Sequence, residues 1–136
     1  MLRSWTIPAA AYILVTGSIG ITAKIALRTI TWRELLIWTA LAYALAAVIC
    51  VVLTNVDMTL NIGAGMGFLS GILAVTGLVS LFVALSRAEV IRVVPVTSAY
   101  PVVTLLLSAA ILHERLSPTR VLGTLLVVAG VALIAR

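Results

Sequence analysis

The stretch Pro95–Arg120, PVTSAYPVVTLLLSAAILHERLSPTR, decides the fold of this 136-residue chain. No charged residue falls between 93 and 112, and about 20 uncharged, mostly apolar residues in a helix cross a hydrocarbon core about 30 Å thick. Pro95 lies near the start of that run, where a missing N–H is tolerated. Pro101 lies roughly two turns in, where it frees a carbonyl and bends the helix. In lipid, such a carbonyl must be satisfied by a neighbour or by water. Thr97, Pro101, Thr104 and Ser108 recur at helical spacing with Tyr100 beside them, so kink and polar groups share one face. His113, Glu114 and Arg115 close the run as an interfacial turn holding an ion pair. Ser117-Pro118 then reads as an N-cap followed by a first helical residue.

Working outward, the chain reads as five spans at about 5–23, 35–53, 63–85, 93–112 and 118–135. The first carries Trp5 at the interface and a narrow polar face of Thr16, Gly20 and Lys24. It begins like a secretory leader, but we count it as a retained span. The linker KIALRTITWRE, 24–34, has the cations and tryptophan of a headgroup-level segment. The second span bears Ala40, Ala44 and Ala47 on one face, with Trp38 and Tyr43 as polar-tipped aromatics. The loop TNVDMTLNI, 54–62, is hydrophilic and contains Asp57. The third span opens with Gly63, Gly67 and Gly71 at steps of four, two overlapping G-x-x-x-G units that let a backbone approach closely, within the chain or from a second subunit. Gly123 and Gly130 mark the last span.

Composition excludes most other classes. Hydrophobic residues make up 63% and charged residues 10%, against about a quarter charged in soluble domains, so there is room for about five crossings and little else. Net charge is +5, yet the basic residues stand singly at the edges of apolar runs, as orientation signals do, and not on one face as nucleic-acid contacts do. Cys50 is the single cysteine and His113 the single histidine, so neither a disulfide nor a metal site is expected. With one histidine and four edge acids, no catalytic grouping can be assembled. The expectation is a protein that is not an enzyme and uses no cofactor.

The run VALSRAEVIRVVPVTSAYPVVTLLLSAAILHERLSPTRVLGTLLVVAGVALI resembles the last three helices of an EamA-type module of the drug/metabolite transporter superfamily. Ala84-Leu85, then Val93, Val94 and Pro95, then Tyr100-Pro101, Glu114-Arg115, and finally Gly123, Gly130 and Val131 meet the family's pattern. Spans 1 and 2 match in placement and in Lys24. Small multidrug resistance proteins, which also pair short chains, carry a membrane-embedded Glu in their first helix, and none stands here. The resemblance implies an all-α integral membrane fold, one five-helix half of an inverted-repeat transporter. Family members resemble one another in carrying two such modules, and this chain carries one.

An odd number of spans puts the ends of a module on opposite sides, so tandem copies face opposite ways around a midplane site. A single module is then expected to pair with an antiparallel copy of itself or with a small homologue. Six of the nine basic residues, Lys24, Arg28, Arg33, Arg87, Arg92 and Arg136, fall on one side, and Arg3, Arg115 and Arg120 on the other. That favours a cytoplasmic C-terminus and an external N-terminus in the cell (inner) membrane. The expected function is movement of a small polar or amphiphilic metabolite, or a lipid-linked one, by alternating access. Lys24, Tyr43, Thr97, Tyr100, Pro101, Thr104 and Ser108 are the candidate path. Lys24 either snorkels to the interface or faces a cavity and attracts an anionic or zwitterionic solute. The span-4 hydroxyls bind either neighbouring helices or solute. The alternative function is a non-transporting adaptor that holds a larger partner on its glycine face.

Overall fold

The computed structural model describes residues 5–54, 56 and 58–134. Arg3, Asp57, Arg136 and the end of the fifth span at Ala135 lie outside the described residues. Six helices follow in order: α1, Thr6–Ala26; α2, Trp32–Thr54; α3, Ile62–Arg87; α4, Val90–Thr97; α5, Tyr100–Ile111; and α6, Pro118–Ile134. No strand occurs among the described residues. Four stretches are long and apolar enough to cross a membrane: α1, α2, α3 and the run Val90–Ile111 that contains α4 and α5. The 17 residues of α6 lie at the short end of the range that spans a bilayer.

The first three helices outrun the apolar stretches that predict them, because long cationic side chains at the ends let a helix continue past the hydrocarbon edge. Thus α1 takes in Lys24, α2 begins before Arg33 and α3 ends on Arg87. The linker expected over 24–34 shrinks accordingly. At its far end, the Thr31 N–H and hydroxyl both donate to Glu34 Oε2, at 2.7 and 2.8 Å, while the Glu34 N–H returns to Thr31 Oγ1 at 3.3 Å. This reciprocal capping box satisfies donors that the first turn of α2 would otherwise leave unpaired. Asn61 serves α3 in the same way, its Oδ1 accepting from the Ala64 N–H at 3.0 Å. At α6, the Arg120 N–H donates to Ser117 Oγ at 3.3 Å, the cap that Ser117-Pro118 announces.

The chain forms two compact units, Met1–Arg87 and Ala88–Arg136. In the first, α3 packs against both α1 and α2. Buried residues gather in the C-terminal halves of α1 and α3: Gly20 and Ala23 on one, Phe82 and Leu85 on the other. Lys24 joins those ends, its ammonium donating to the Leu85 carbonyl at 2.6 Å, so α1 and α3 run parallel. No residue of α2 is buried, and its large apolar side chains stand open as they would toward lipid.

In the second unit α6 packs against both α4 and α5, and Val93 is the buried residue of α4. The expected fourth span is thus two helices rather than one bent helix. Ser98 (φ −70°, ψ 0°) and Ala99 (φ −76°, ψ −5°) stay right-handed between them, so the chain tightens without reversing.

Candidate functional site

The break between α4 and α5 follows from the covalent chemistry of Pro101. Having no N–H, it leaves the Thr97 carbonyl without the donor four residues on. The ladder answers by tightening to three-residue steps: Ser98 N–H to the Pro95 carbonyl at 3.1 Å, Ala99 to Val96 at 3.2 Å, and Val102 to Ala99 at 3.1 Å. Short 3₁₀ steps inside an α-helix mark strain or a hinge. Pro95, inside α4, removes a second donor, the one that would serve Ile91.

The serine and threonine hydroxyls along this segment turn back onto their own backbone. Thr97 Oγ1 donates to the Val94 carbonyl at 2.9 Å and Ser98 Oγ to the same oxygen at 2.8 Å. With the Ser98 N–H at 3.0 Å, one carbonyl accepts three donors. On α5, Thr104 Oγ1 donates to the Tyr100 carbonyl at 3.3 Å and Ser108 Oγ to Leu105 at 3.1 Å. None of these is a bond to another helix, the alternative to solute contact weighed for this face. Thr97, Ser98 and Tyr100 are exposed; Pro101 and Ser108 are half-buried.

The structure therefore gathers Thr97, Tyr100, Pro101, Thr104 and Ser108 on one broken segment of the second unit. Lys24 and Tyr43 belong to the first unit. Tyr43 lies exposed in mid-α2. Lys24 is half-buried and donates to a carbonyl of the last turn of α3, a set of oxygens that a helix cannot satisfy internally. A cation there also complements the negative end of the helix dipole.

Gly67 and Gly71 face open space: a methyl group added at either would meet nothing within 4 Å. They form part of a shallow, open depression of about 490 Å³, lined with Phe68, Ile72, Val75 and Thr76. Gly63 differs, since a methyl group there would come within 3.1 Å of the capping Asn61 Oδ1.

The polar turn also departs from expectation. Glu114 and Arg115 form no ion pair, because neighbours in sequence do not face each other; the salt bridge present among the described residues joins Arg92 and Glu89 at 3.7 Å, both largely exposed. His113 instead takes a left-handed conformation, φ 54°, which brings the Glu114 N–H back to the Ser108 carbonyl at 3.3 Å. Sequence reasoning missed this turn, along with the Thr31–Glu34 box and the Asn61 cap. The last two carry readable signals, T-x-x-E and an Asn just ahead of an apolar run.

No curated protein and no solved structure matches the chain. A family model does, described as the EamA-like transporter family and matching residues 3–136. With its membrane-length apolar helices and its proline-broken fourth span, the chain belongs to the EamA-like transporter family, and it is an all-helical, multi-pass membrane protein of the transporter type.

Proposed function

We propose that the protein moves a small polar or amphiphilic metabolite across the cell (inner) membrane by alternating access, as one five-span half of an antiparallel pair. A lipid-linked metabolite belongs to the same reading. The observation that carries it is the interrupted ladder at Thr97–Val102 inside a stretch of 22 residues otherwise fit to cross the bilayer. Irregular backbone at membrane depth is tolerated where it is buried in protein or lines a cavity, and broken helices of this kind carry transporter binding sites. Thr97, Tyr100, Pro101, Thr104 and Ser108 line the path in this reading. The partner is a second copy inserted upside down or a small homologue, and Gly63, Gly67 and Gly71 are the close-packing face. The C-terminal end faces the cytoplasm. The protein carries out no chemical conversion of its cargo.

Two measurements test this together. In a Cys50→Ala background, single cysteines at Thr29 and at Glu114 are labelled in intact cells with a membrane-impermeant maleimide; an antiparallel homodimer labels at both, each in part. The purified chain in proteoliposomes, loaded with a mixed metabolite extract, then shows efflux of at least one solute above protein-free vesicles. Labelling at one site alone, from cells holding no oppositely oriented homologue, together with no efflux, refutes the proposal. The open face at Gly67 and Gly71 favours a second reading, an adaptor that holds a larger membrane protein. Co-purification of an unrelated partner in fixed proportion, with no second copy present, selects it.

A further inference from the structure

The hydrogen-bond directions at the break specify what kind of group it receives. All four hydroxyl protons of Thr97, Ser98, Thr104 and Ser108 are committed to main-chain carbonyls of the same segment. A hydroxyl that donates inward still has lone pairs facing outward, so each of these side chains meets a solute as an acceptor. The Thr97 carbonyl, deprived of its partner by Pro101, adds another oxygen of the same sense. Donors are correspondingly scarce. Among main-chain positions 98–102, the N–H groups of Ser98, Ala99 and Val102 are bonded within the break and Pro101 has none, which leaves the N–H and phenol of Tyr100 as the donors against five oxygen acceptors. No arginine or lysine lies between 93 and 114.

We propose that the α4–α5 break binds solute through oxygen acceptors, and that the group it receives is a non-anionic hydrogen-bond donor: a hydroxyl, an amide or a protonated amine. Carboxylates and phosphates are disfavoured, because a buried anion needs donors or cations around it. The inference deepens the transport reading and rests on it for the claim that the bound group is cargo; the binding preference stands on the geometry.

The test uses the purified full-length chain in detergent and three probes with one phenylethyl body: phenethylammonium, its N,N,N-trimethyl analogue and 3-phenylpropionate. The first two carry the same charge and differ in N–H donors, and the third is an acceptor-only anion. By isothermal titration, phenethylammonium binds at least about fivefold more tightly than the trimethyl compound, and 3-phenylpropionate most weakly, as expected for hydrogen bonds of about 1 kcal/mol or more. The pair Thr97→Val and Ser98→Ala abolishes that preference. The exchange Thr97→Ser and Ser98→Thr keeps both hydroxyls and retains it, which separates loss of acceptors from loss of fold. Equal binding of the two ammonium probes, tighter binding of the carboxylate, or a preference untouched by Thr97→Val and Ser98→Ala overturns the inference. If the preference holds and proteoliposomes show no efflux, transport fails while the site stands.

Discussion

Lys24 shows how a single side chain is read differently once its partner is known. In the sequence it is a cation on a narrow polar face, read first as snorkelling and second as facing a cavity that attracts an anionic or zwitterionic solute. The structure places its ammonium 2.6 Å from the Leu85 carbonyl, where it ties the end of α1 to the end of α3 beside buried Ala23 and Leu85. A half-buried, charge-assisted bond of this kind contributes about 1.5 kcal/mol. Lys24→Met therefore lowers the thermal midpoint in detergent, whereas Lys24→Arg, which keeps a donor, recovers most of it. The opposite sign holds at His113, the one non-glycine residue with positive φ among those described. Its Cβ opposes the left-handed region, so His113→Gly stabilises by about 0.5 to 1 kcal/mol, read as a raised midpoint with unchanged helix content. Neither effect is legible from the sequence. Lys24's acceptor is a main-chain oxygen 61 residues away, and a histidine gives no warning of its backbone angle. The Thr31–Glu34 box is legible as T-x-x-E, but the cations around it give the stretch the composition of a headgroup-level linker.

At the scale of elements, apolar length and proline position announce the helices, while their ends depend on polar chemistry outside the apolar runs. The starts of α2, α3 and α6 follow side-chain caps and the last turns of α1 and α3 take in cations, so α2 starts on Trp32, three residues ahead of the apolar boundary at Leu35. Pro101 predicts a disturbance two turns into the fourth span. The backbone goes further and ends one helix at Thr97 before beginning another at Tyr100, because Pro95 and Pro101 each withdraw a donor from the same short stretch. Pro101→Ala restores the missing N–H and lets the Thr97 carbonyl regain its partner, a gain of about 1 to 3 kcal/mol where the surroundings permit a straight helix. The expected outcome is a higher thermal midpoint with efflux reduced at least tenfold, the trade expected where function depends on an interrupted element. Hydrogen exchange of amides 98–102 reports the closure directly: protection rises in the variant. A variant that is both more stable and fully active separates the break from transport.

For the whole molecule, orientation is the property that connects charge to function. In the proposed five-span arrangement, six basic residues on one side against three on the other is a lean and not a lock, since single cations near span ends each shift insertion modestly. An active antiparallel homodimer needs both orientations, so its flux must depend on how evenly the population divides. Arg28→Gln, Arg33→Gln and Arg87→Gln together make the count even. None of the three cations forms a salt bridge among the described residues, and Arg33 rests at 5.5 Å over the Trp32 ring, so their removal changes insertion far more than packing. Labelling at Thr29 and Glu114 then moves toward equal accessibility, and flux per molecule is maintained or rises. Arg115→Gln with Arg120→Gln exaggerates the lean instead, giving a population inserted one way, little flux, and recovery when it is co-expressed with the triple variant further carrying Thr59→Arg and Leu116→Arg, whose three cations against five lean the other way and which alone also gives little flux. That rescue is the decisive observation, because two chains individually biased toward opposite orientations can restore each other only if the working unit contains one of each.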